Sequence, residues 1–243
     1  DKFRNGVGSN FLQWGASYYP FLNTTIVSKS EIDFTRIANL DGLVEVLSKE
    51  VAKNLEADEI TAARAEGITS EIDKITETTD ADAVNSLNST LTVISPSLNL
   101  ILSEISEMLN VLPPSPAMAG AYTMVDSQAS VAQSPANISL GSVIAPLINI
   151  NNDNQEELNL PLNGKAVNAI RTFQGKGVLV WGARTLEGNS KDYRYVSVRR
   201  TMTFLEQSIK SAAEAFVFAP NNATTWSTLR ATVSSFLANQ WQS

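Results

Sequence analysis

Residues 175–200 place an apolar strand, a WGART pentapeptide and a basic strand-to-helix junction side by side in the sequence GKGVLVWGARTLEGNSKDYRYVSVRR. Residues 178–180 form a continuous apolar run between glycines, which is typical of a strand buried on both faces. Gly182 is expected to end the strand because glycine permits a backbone conformation closed to other residues. Arg184 follows with a planar charged fork that can bind a carboxylate or a chain terminus. The segment predicts a buried strand that leads into a helix.

Composition excludes much catalytic chemistry. The 243 residues include no His and no Cys, so Ser-His-Asp sites, Cys-His sites, disulfides and thiolate zinc sites cannot form. The phosphate-loop and dinucleotide-binding motifs are also missing. Carboxylate pairs and serine-lysine dyads remain open. No apolar run approaches the roughly 20 residues that span a bilayer, and there is no signal segment. We expect a soluble chain without cofactor, metal or direct membrane insertion.

Charge is distributed unevenly along the chain, whose formal net charge is −7. Residues 31–110 hold 16 acidic and 5 basic side chains, whereas residues 164–243 hold 4 acidic and 10 basic ones. Such asymmetry favours a last third that faces an acidic surface and a middle third that faces solvent. Uneven charge without any partner is an equally good interpretation at this point.

Helical periodicity dominates residues 41–110. The apolar positions at helical spacing are Leu43, Val46, Leu47, Val51 and Leu55, then Ile68, Ile72 and Ile75, then Leu98, Ile101, Leu102, Ile105, Met108 and Leu109. Ser95-Pro96 interrupts the pattern, residues 76–82 predict a loop, and Pro113-Pro114 ends the segment. The pattern predicts a helical hairpin or a small bundle.

The remaining sequence predicts mixed structure. Proline, serine, alanine and asparagine alternate with short apolar pieces over residues 113–160, which indicates loops and short strands, with an exposed turn at 149–157. LNGKAVNAIRTF at residues 162–173 is interpreted as helix-forming. Two amphipathic helices are predicted at the end, separated by Pro220-Asn221-Asn222. Their apolar stripes run from Val198 to Phe216 and from Trp226 to Leu237.

Four ordered segments resemble the tail-sheath proteins of contractile phages and related injection machines. The family core motif is WGART, namely Trp181, Gly182, Ala183, Arg184 and Thr185, followed by YRYVSVRR and the helix that it opens. The others are GASYYPFL at residues 15–22, PPSPAMAG with SPAN at 113–120 and 134–137, and LNGKAVNAIRTF at 162–173. The resemblance covers roughly residues 9–28 and 113–243, whereas residues 29–112 match no family segment.

The resemblance implies an α/β (α+β) fold: a sheath core domain with a central sheet flanked by helices, plus an inserted all-helical segment. Residues 1–28 would be the first part of the core, residues 29–112 an insertion on the outer surface, and residues 113–243 the remainder. The chain begins at Asp1 and stops soon after Trp241. We therefore expect a fragment that lacks the terminal arms of sheath proteins.

The implied function is structural and not enzymatic: a sheath that polymerises around an inner tube and contracts to drive that tube through a cell envelope. The implied partners are further copies in a helical homo-oligomer, the inner tube protein, and baseplate and terminal cap proteins. Assembly would occur in the bacterial cytoplasm, and the product would be a phage virion or an injection particle. Nucleic-acid binding is not expected, because the chain is acidic and lacks a dense basic patch with interleaved aromatics.

Five cations are candidate contacts with the tube or with a neighbouring subunit: Lys191, Arg194, Arg199, Arg200 and Lys210. Charge attraction would hold the tube before contraction and release it afterwards, because it acts at long range without a dry interface. Pairing of Arg199 or Arg200 with an acidic neighbour inside the subunit is the alternative. Two other functions also stay open: a binding module that uses the acidic helices, and a carboxylate-dependent hydrolase.

Overall fold

The structure is a computed structural model that describes residues 2–160 and 163–242. Its α+β fold, in which helices predominate over short strands, confirms the predicted class. The helices are α1 (Lys2–Gly6), α2 (Leu40–Glu56), α3 (Ala62–Asp73), α4 (Ala81–Ile94), α5 (Pro96–Leu109), α6 (Pro114–Gln128), α7 (Asn152–Asn159), α8 (Val196–Glu214) and α9 (Ala223–Gln242). The strands are β1 (Tyr18–Tyr19), β2 (Leu22–Thr24), β3 (Val111–Leu112), β4 (Ile138–Ser139), β5 (Val143–Pro146), β6 (Asn168–Phe173) and β7 (Gly177–Trp181).

The chain divides into two compact units. Unit 1 comprises the described residues of 1–21, 113–141 and 145–243, and unit 2 comprises residues 22–112 and 142–144. Strand β2, which the sequence grouped with residues 1–28, lies in unit 2. The assignment of residues 29–112 as a sheath insertion stays a prediction.

Unit 2 contains α2 to α5, so the predicted helical segment is confirmed. Each helix begins at a residue whose side chain accepts a hydrogen bond from a backbone N–H of the first turn: Asn39, Thr61, Asp80 and Ser95. Such caps satisfy donors that have no partner within the helix. Pro96 follows its cap at the first helical position, where the missing N–H costs nothing. Local sequence therefore sets where these helices begin.

The core of unit 2 uses only part of each predicted apolar stripe. Phe34, Leu47, Leu91 and Leu98 are completely buried at its centre. In α2, Leu43, Leu47 and Val51 are buried at a spacing of four residues, whereas Val46 and Leu55 remain exposed. In α5, Leu98 and Leu102 are buried, but Met108 and Leu109 at its carboxyl end are exposed. Periodicity identified the apolar face, and packing decided how much of it is covered.

Unit 1 is organised by a four-stranded sheet with the order β1-β6-β7-β4. Strand β1 pairs with β6 in parallel, while β6 with β7 and β7 with β4 are antiparallel. A tight turn joins β6 to β7, where Gly175 and Gly177 have φ near +75°. That backbone region favours glycine because it has no Cβ. The hairpin places residue 181 opposite Ala169.

The helix predicted over residues 162–173 is wrong. Leu162 lies outside the described residues, and Asn168–Phe173 form strand β6. Residues 167–170 are all buried, which suits a strand covered on both faces better than a helix with one apolar stripe. Pairing with β7 decided this segment, because short apolar runs do not distinguish strand from helix by themselves.

Two helices occupy the region that was expected to consist of loops, short strands and an exposed turn. Helix α6 has proline in its first turn, which is compatible with a helix although proline suggested a break. Helix α7 begins inside the predicted turn at 149–157 and ends at Asn159, and Leu158 is its one apolar residue. Asn151 and Asn154 cap its amino end reciprocally, each accepting from the other's backbone N–H. The expectation was wrong at both places.

The two carboxyl-terminal helices are confirmed as α8 and α9. Asn222 accepts a hydrogen bond from the N–H of Thr225 at the start of α9, as its position before the helix predicted. The helices pack through Phe204 and Phe236, whose ring centroids are 6.2 Å apart. No residue of α9 is buried, and Trp226 is 67% exposed. The predicted stripes are therefore only partly covered within the chain.

Candidate interface site

The WGART segment begins where the buried strand ends. Residues 178–180 are buried, and β7 stops at Trp181, as predicted. The Trp181 ring packs on Phe173 across the hairpin, with ring centroids 4.6 Å apart, and the side chain is 37% exposed. Its carbonyl oxygen accepts a hydrogen bond from Gln155 of α7 at 3.3 Å. Trp181 therefore packs on the β6–β7 hairpin and contacts α7 through its backbone carbonyl.

Asn168 is the buried polar group that shapes this segment. Its Nδ2 donates to the carbonyl oxygens of Ser17 (3.1 Å) and Arg184 (2.8 Å), and its Oδ1 accepts from the N–H of Arg184 (2.7 Å). The residue is completely buried. A buried amide requires such partners, because an unpaired polar group in the interior is costly. Asn168 thus connects β6, the residue before β1 and the WGART segment.

Gly182 is required for a reason other than the one predicted. Its φ is not in the positive region that favours glycine. A Cβ at this position would lie 2.8 Å from Oδ1 and 3.0 Å from Cβ of Asn168. The glycine therefore allows Asn168 to approach the backbone closely, rather than supplying an unusual backbone conformation.

Arg184 and Thr185 hold the loop that leads into α8. Arg184 donates from Nη1 to the carbonyl oxygen of Asn159 at 3.0 Å, not to the carboxylate or chain terminus that was expected. The buried Thr185 donates from Oγ1 to the carbonyl oxygen of Tyr193 at 2.7 Å. The backbone N–H of Val196 donates to the carbonyl oxygen of Ala183, which places the first residue of α8. The motif is thus engaged in contacts within unit 1.

Arg199 is buried between two aromatic rings. Its guanidinium carbon lies 4.0 Å from the ring centroid of Trp14 and 4.8 Å from that of Tyr193. The side chain is 8% exposed and pairs with Glu206 at 3.0 Å. Cation–π contacts of this kind gain strength when the cation is desolvated. Its charge is therefore used inside unit 1.

Arg200 is also paired within unit 1. It forms a two-point ion pair with Asp126 of α6, with Nη1 and Oδ1 2.8 Å apart. Its guanidinium lies 5.0 Å from the ring centroid of Tyr122, whose hydroxyl is 2.7 Å from that of Tyr18. The hydrogen bonds that Arg200 donates to Asp126 raise the pKa of Arg200. Burial raises the pKa of both Tyr18 and Tyr122, so both hydroxyls keep their protons at neutral pH.

The other three candidate cations differ from these two arginines. Lys191 and Lys210 are exposed and form no ion pair in the described part of the chain. Arg194 is half-buried, with its guanidinium 5.7 Å from the ring centroid of Tyr195. Its buried Nε has no hydrogen-bond partner among the described residues. Lys191 and Lys210 are therefore the candidates whose charge is free to attract a partner.

Sequence reasoning did not identify several residues that build this site. Asn168 lies in the segment of residues 162–173 that resembles sheath proteins, but no separate role was predicted for it. A polar residue within the apolar run VNAI was the available signal, since a buried amide must have partners. Trp14, Tyr122 and Asp126 gave no comparable signal, because they meet the arginines only across long sequence separations, 74 residues for Asp126 and Arg200.

A protein-family comparison gives this arrangement a context. No curated protein matches the chain. Residues 189–243 match the phage tail sheath C-terminal domain. The matched region includes α8, α9 and the loop before them, and therefore includes all five candidate cations.

Solved structures of contractile injection machines are similar to a larger part of the chain. The PVC sheath complex in its contracted state is 42% identical, with a TM-score of 0.51 over 54% of this chain and 36% of that chain. The contracted helical sheath of the anti-feeding prophage is 37% identical, with a TM-score of 0.50 over 54% and 36%. A chain of its six-fold symmetrised baseplate is 37% identical, with a TM-score of 0.50 over 54% and 35%. The chain thus spans little more than a third of the length of these neighbours.

Proposed function

We propose that this chain is part of a structural subunit of a contractile sheath. Many copies would polymerise around an inner tube and contract to drive it through a target cell envelope. The observation that carries this proposal is the match of residues 189–243 to the phage tail sheath C-terminal domain, together with 37–42% identity to sheath and baseplate chains of injection machines. The proposal includes no enzymatic activity and no cofactor.

Contraction requires a core that moves as a body and two packings of different free energy. The Asn168 hydrogen bonds and the Arg199 and Arg200 contacts support this role, because they connect sheet, loop and helices within unit 1. In the proposed assembly, residues 29–112 lie on the outer surface. The excess of 16 acidic over 5 basic side chains in residues 31–110 supports that placement, since like charges favour contact with solvent.

Further copies, the inner tube, the baseplate and a terminal cap are the proposed partners. Assembly would take place in the bacterial cytoplasm, and the product would be a phage virion or an injection particle. Nucleic-acid binding and membrane insertion are not part of the proposal. Among the described residues, no helix is long and apolar enough to cross a bilayer. Nor do the acidic side chains described here converge on a site that could hold a metal ion.

Electron microscopy of the natural full-length protein tests the proposal. We expect hollow, ribbed tubes when the protein is expressed alone, and sheathed tubes when it is expressed together with the inner tube protein. A head-to-tail contact between identical subunits that does not close into a ring generates such a helical polymer. A monodisperse monomer under both conditions would contradict the proposal and favour a binding module that uses the acidic helices of unit 2.

The tube contact is tested by removing the exposed charges. Lys191→Gln with Lys210→Gln is expected to weaken attachment of sheath to tube at low salt, because these ammonium groups have no partner within the described chain. Cosedimentation with the tube over a salt series gives the measurement. The control is Lys53→Gln with Lys176→Gln, which removes the same charge from other exposed positions. Equal attachment of both double variants would reject Lys191 and Lys210 as tube contacts.

A further inference from the structure

The segment of residues 11–19, here called the strap, is weakly held by its own packing. None of its residues is fully buried, and Phe11 is 80% exposed. Its regular structure consists of a three-residue 3-10 turn and the two-residue strand β1. A cleft of about 380 Å³ lies between the strap, α6 and α8. A segment with few contacts and no fully buried side chain opens easily, so the strap needs specific attachments.

Backbone hydrogen bonds attach the strap to the sheet side of unit 1. The carbonyl oxygen of Gly15 accepts from the N–H of Leu186 at 2.8 Å. The carbonyl oxygen of Ser17 accepts from the N–H of Asn168, also at 2.8 Å. These bonds explain how the strap follows the sheet, but none of them involves α8.

Two arginines at the start of α8 connect the strap to α8 and α6. Arg199 lies under the strap residue Trp14, 4.0 Å from its ring centroid, and is backed by Tyr193 and Glu206. Arg200 reaches the strap through α6, because it contacts the Tyr122 ring and Tyr122 hydrogen-bonds Tyr18.

We propose that Arg199 and Arg200 form a two-point clamp that couples the strap to α8, so that a displacement of α8 moves β1 and the sheet with it. Arginine suits this task because its planar group stacks on rings and binds a carboxylate at two points together, which lysine cannot do. The use of this coupling in contraction rests on the proposed function. The clamp itself is a property of the single chain.

Native-state hydrogen exchange on the unassembled chain tests the clamp. In the double variant Arg199→Lys with Arg200→Lys, exchange at the strap amides of Trp14 and Gly15 is expected to rise about 10- to 30-fold, because lysine keeps the charge but does not stack on the Trp14 ring or bind Asp126 at two points. Amides of the β6–β7 hairpin should keep their rates. Arg230→Lys on α9 is the matched control, because Arg230 is exposed.

A second variant changes the strap and leaves α8 intact. Coupling between two sites is reciprocal, so Trp14→Leu should accelerate exchange in the second turn of α8. If exchange accelerates equally throughout unit 1 in either variant, the arginines have only a structural role and the clamp is wrong. Unchanged exchange rates in the strap of the arginine variant would also overturn the clamp. Because no polymer is needed, failure of the sheath proposal would leave this result interpretable.

Discussion

Replacing Asn168 by alanine is expected to lower the free energy of unfolding of unit 1 by about 3–4 kcal/mol. The substitution removes the side-chain partner of the Arg184 carbonyl oxygen and of the Arg184 N–H, removes one of the two hydrogen bonds to the Ser17 carbonyl oxygen, and leaves a cavity beside Gly182. Buried polar groups left without partners cost about 1–3 kcal/mol, so the loss exceeds that of an ordinary surface change. The WGART segment, which loses its contacts with the Asn168 amide, should be destabilised most.

Tryptophan fluorescence during urea unfolding is suited to this measurement. Trp14, Trp181, Trp226 and Trp241 are the tryptophans of the chain, and all four belong to unit 1. Asn239→Ala is the matched control, because that asparagine is exposed on α9. If the two alanine variants unfold at the same urea concentration, the Asn168 network does not stabilise unit 1.

Replacing Phe34 by alanine is expected to destabilise unit 2 by about 3–5 kcal/mol. Phe34 is completely buried in the helical core, and its backbone N–H donates to Oδ1 of Asn88 on α4 at 3.2 Å. Removal of the ring leaves a cavity next to helices whose contacts with one another depend on this core.

Thermal unfolding of this variant is measured by the loss of the helical circular dichroism signal, since α2 to α5 account for most of unit 2. Phe218→Ala deletes the same atoms from a side chain that is 99% exposed, and it should have almost no effect on stability. If the Phe34 and Phe218 variants melt at the same temperature, the core of unit 2 is not packed around the Phe34 ring.

The five candidate cations show how far a resemblance can assign a site. Their residue type and their position near a family motif suggested contacts with a partner. In the structure, Arg199 and Arg200 hold neighbouring elements of unit 1, while Lys191 and Lys210 remain exposed. Burial and pairing distinguish these two groups, and neither property is visible in the number of charges along the chain.

Several features followed from the sequence because their causes are local. The helices of residues 41–110 and of the carboxyl-terminal segment result from apolar periodicity, and capping residues mark the starts of α2 to α5 and of α9. The buried strand of residues 177–181 results from a short apolar run between glycines. The exclusion of catalytic and metal sites that need His or Cys also follows from composition alone. None of these conclusions requires knowledge of a distant neighbour.

Other features were decided only by tertiary structure, because they depend on partners far away in the sequence. Strand β6 forms instead of a helix since β1 and β7 pair with it on either side. The Asn168 amide meets Ser17 across 151 residues, and Arg200 meets Asp126 across 74. Spacing along a chain predicts which residues share a face of one element, but it does not say which elements meet. The roles of Asn168, Gly182, Arg199 and Arg200 therefore appeared only once the chain was folded.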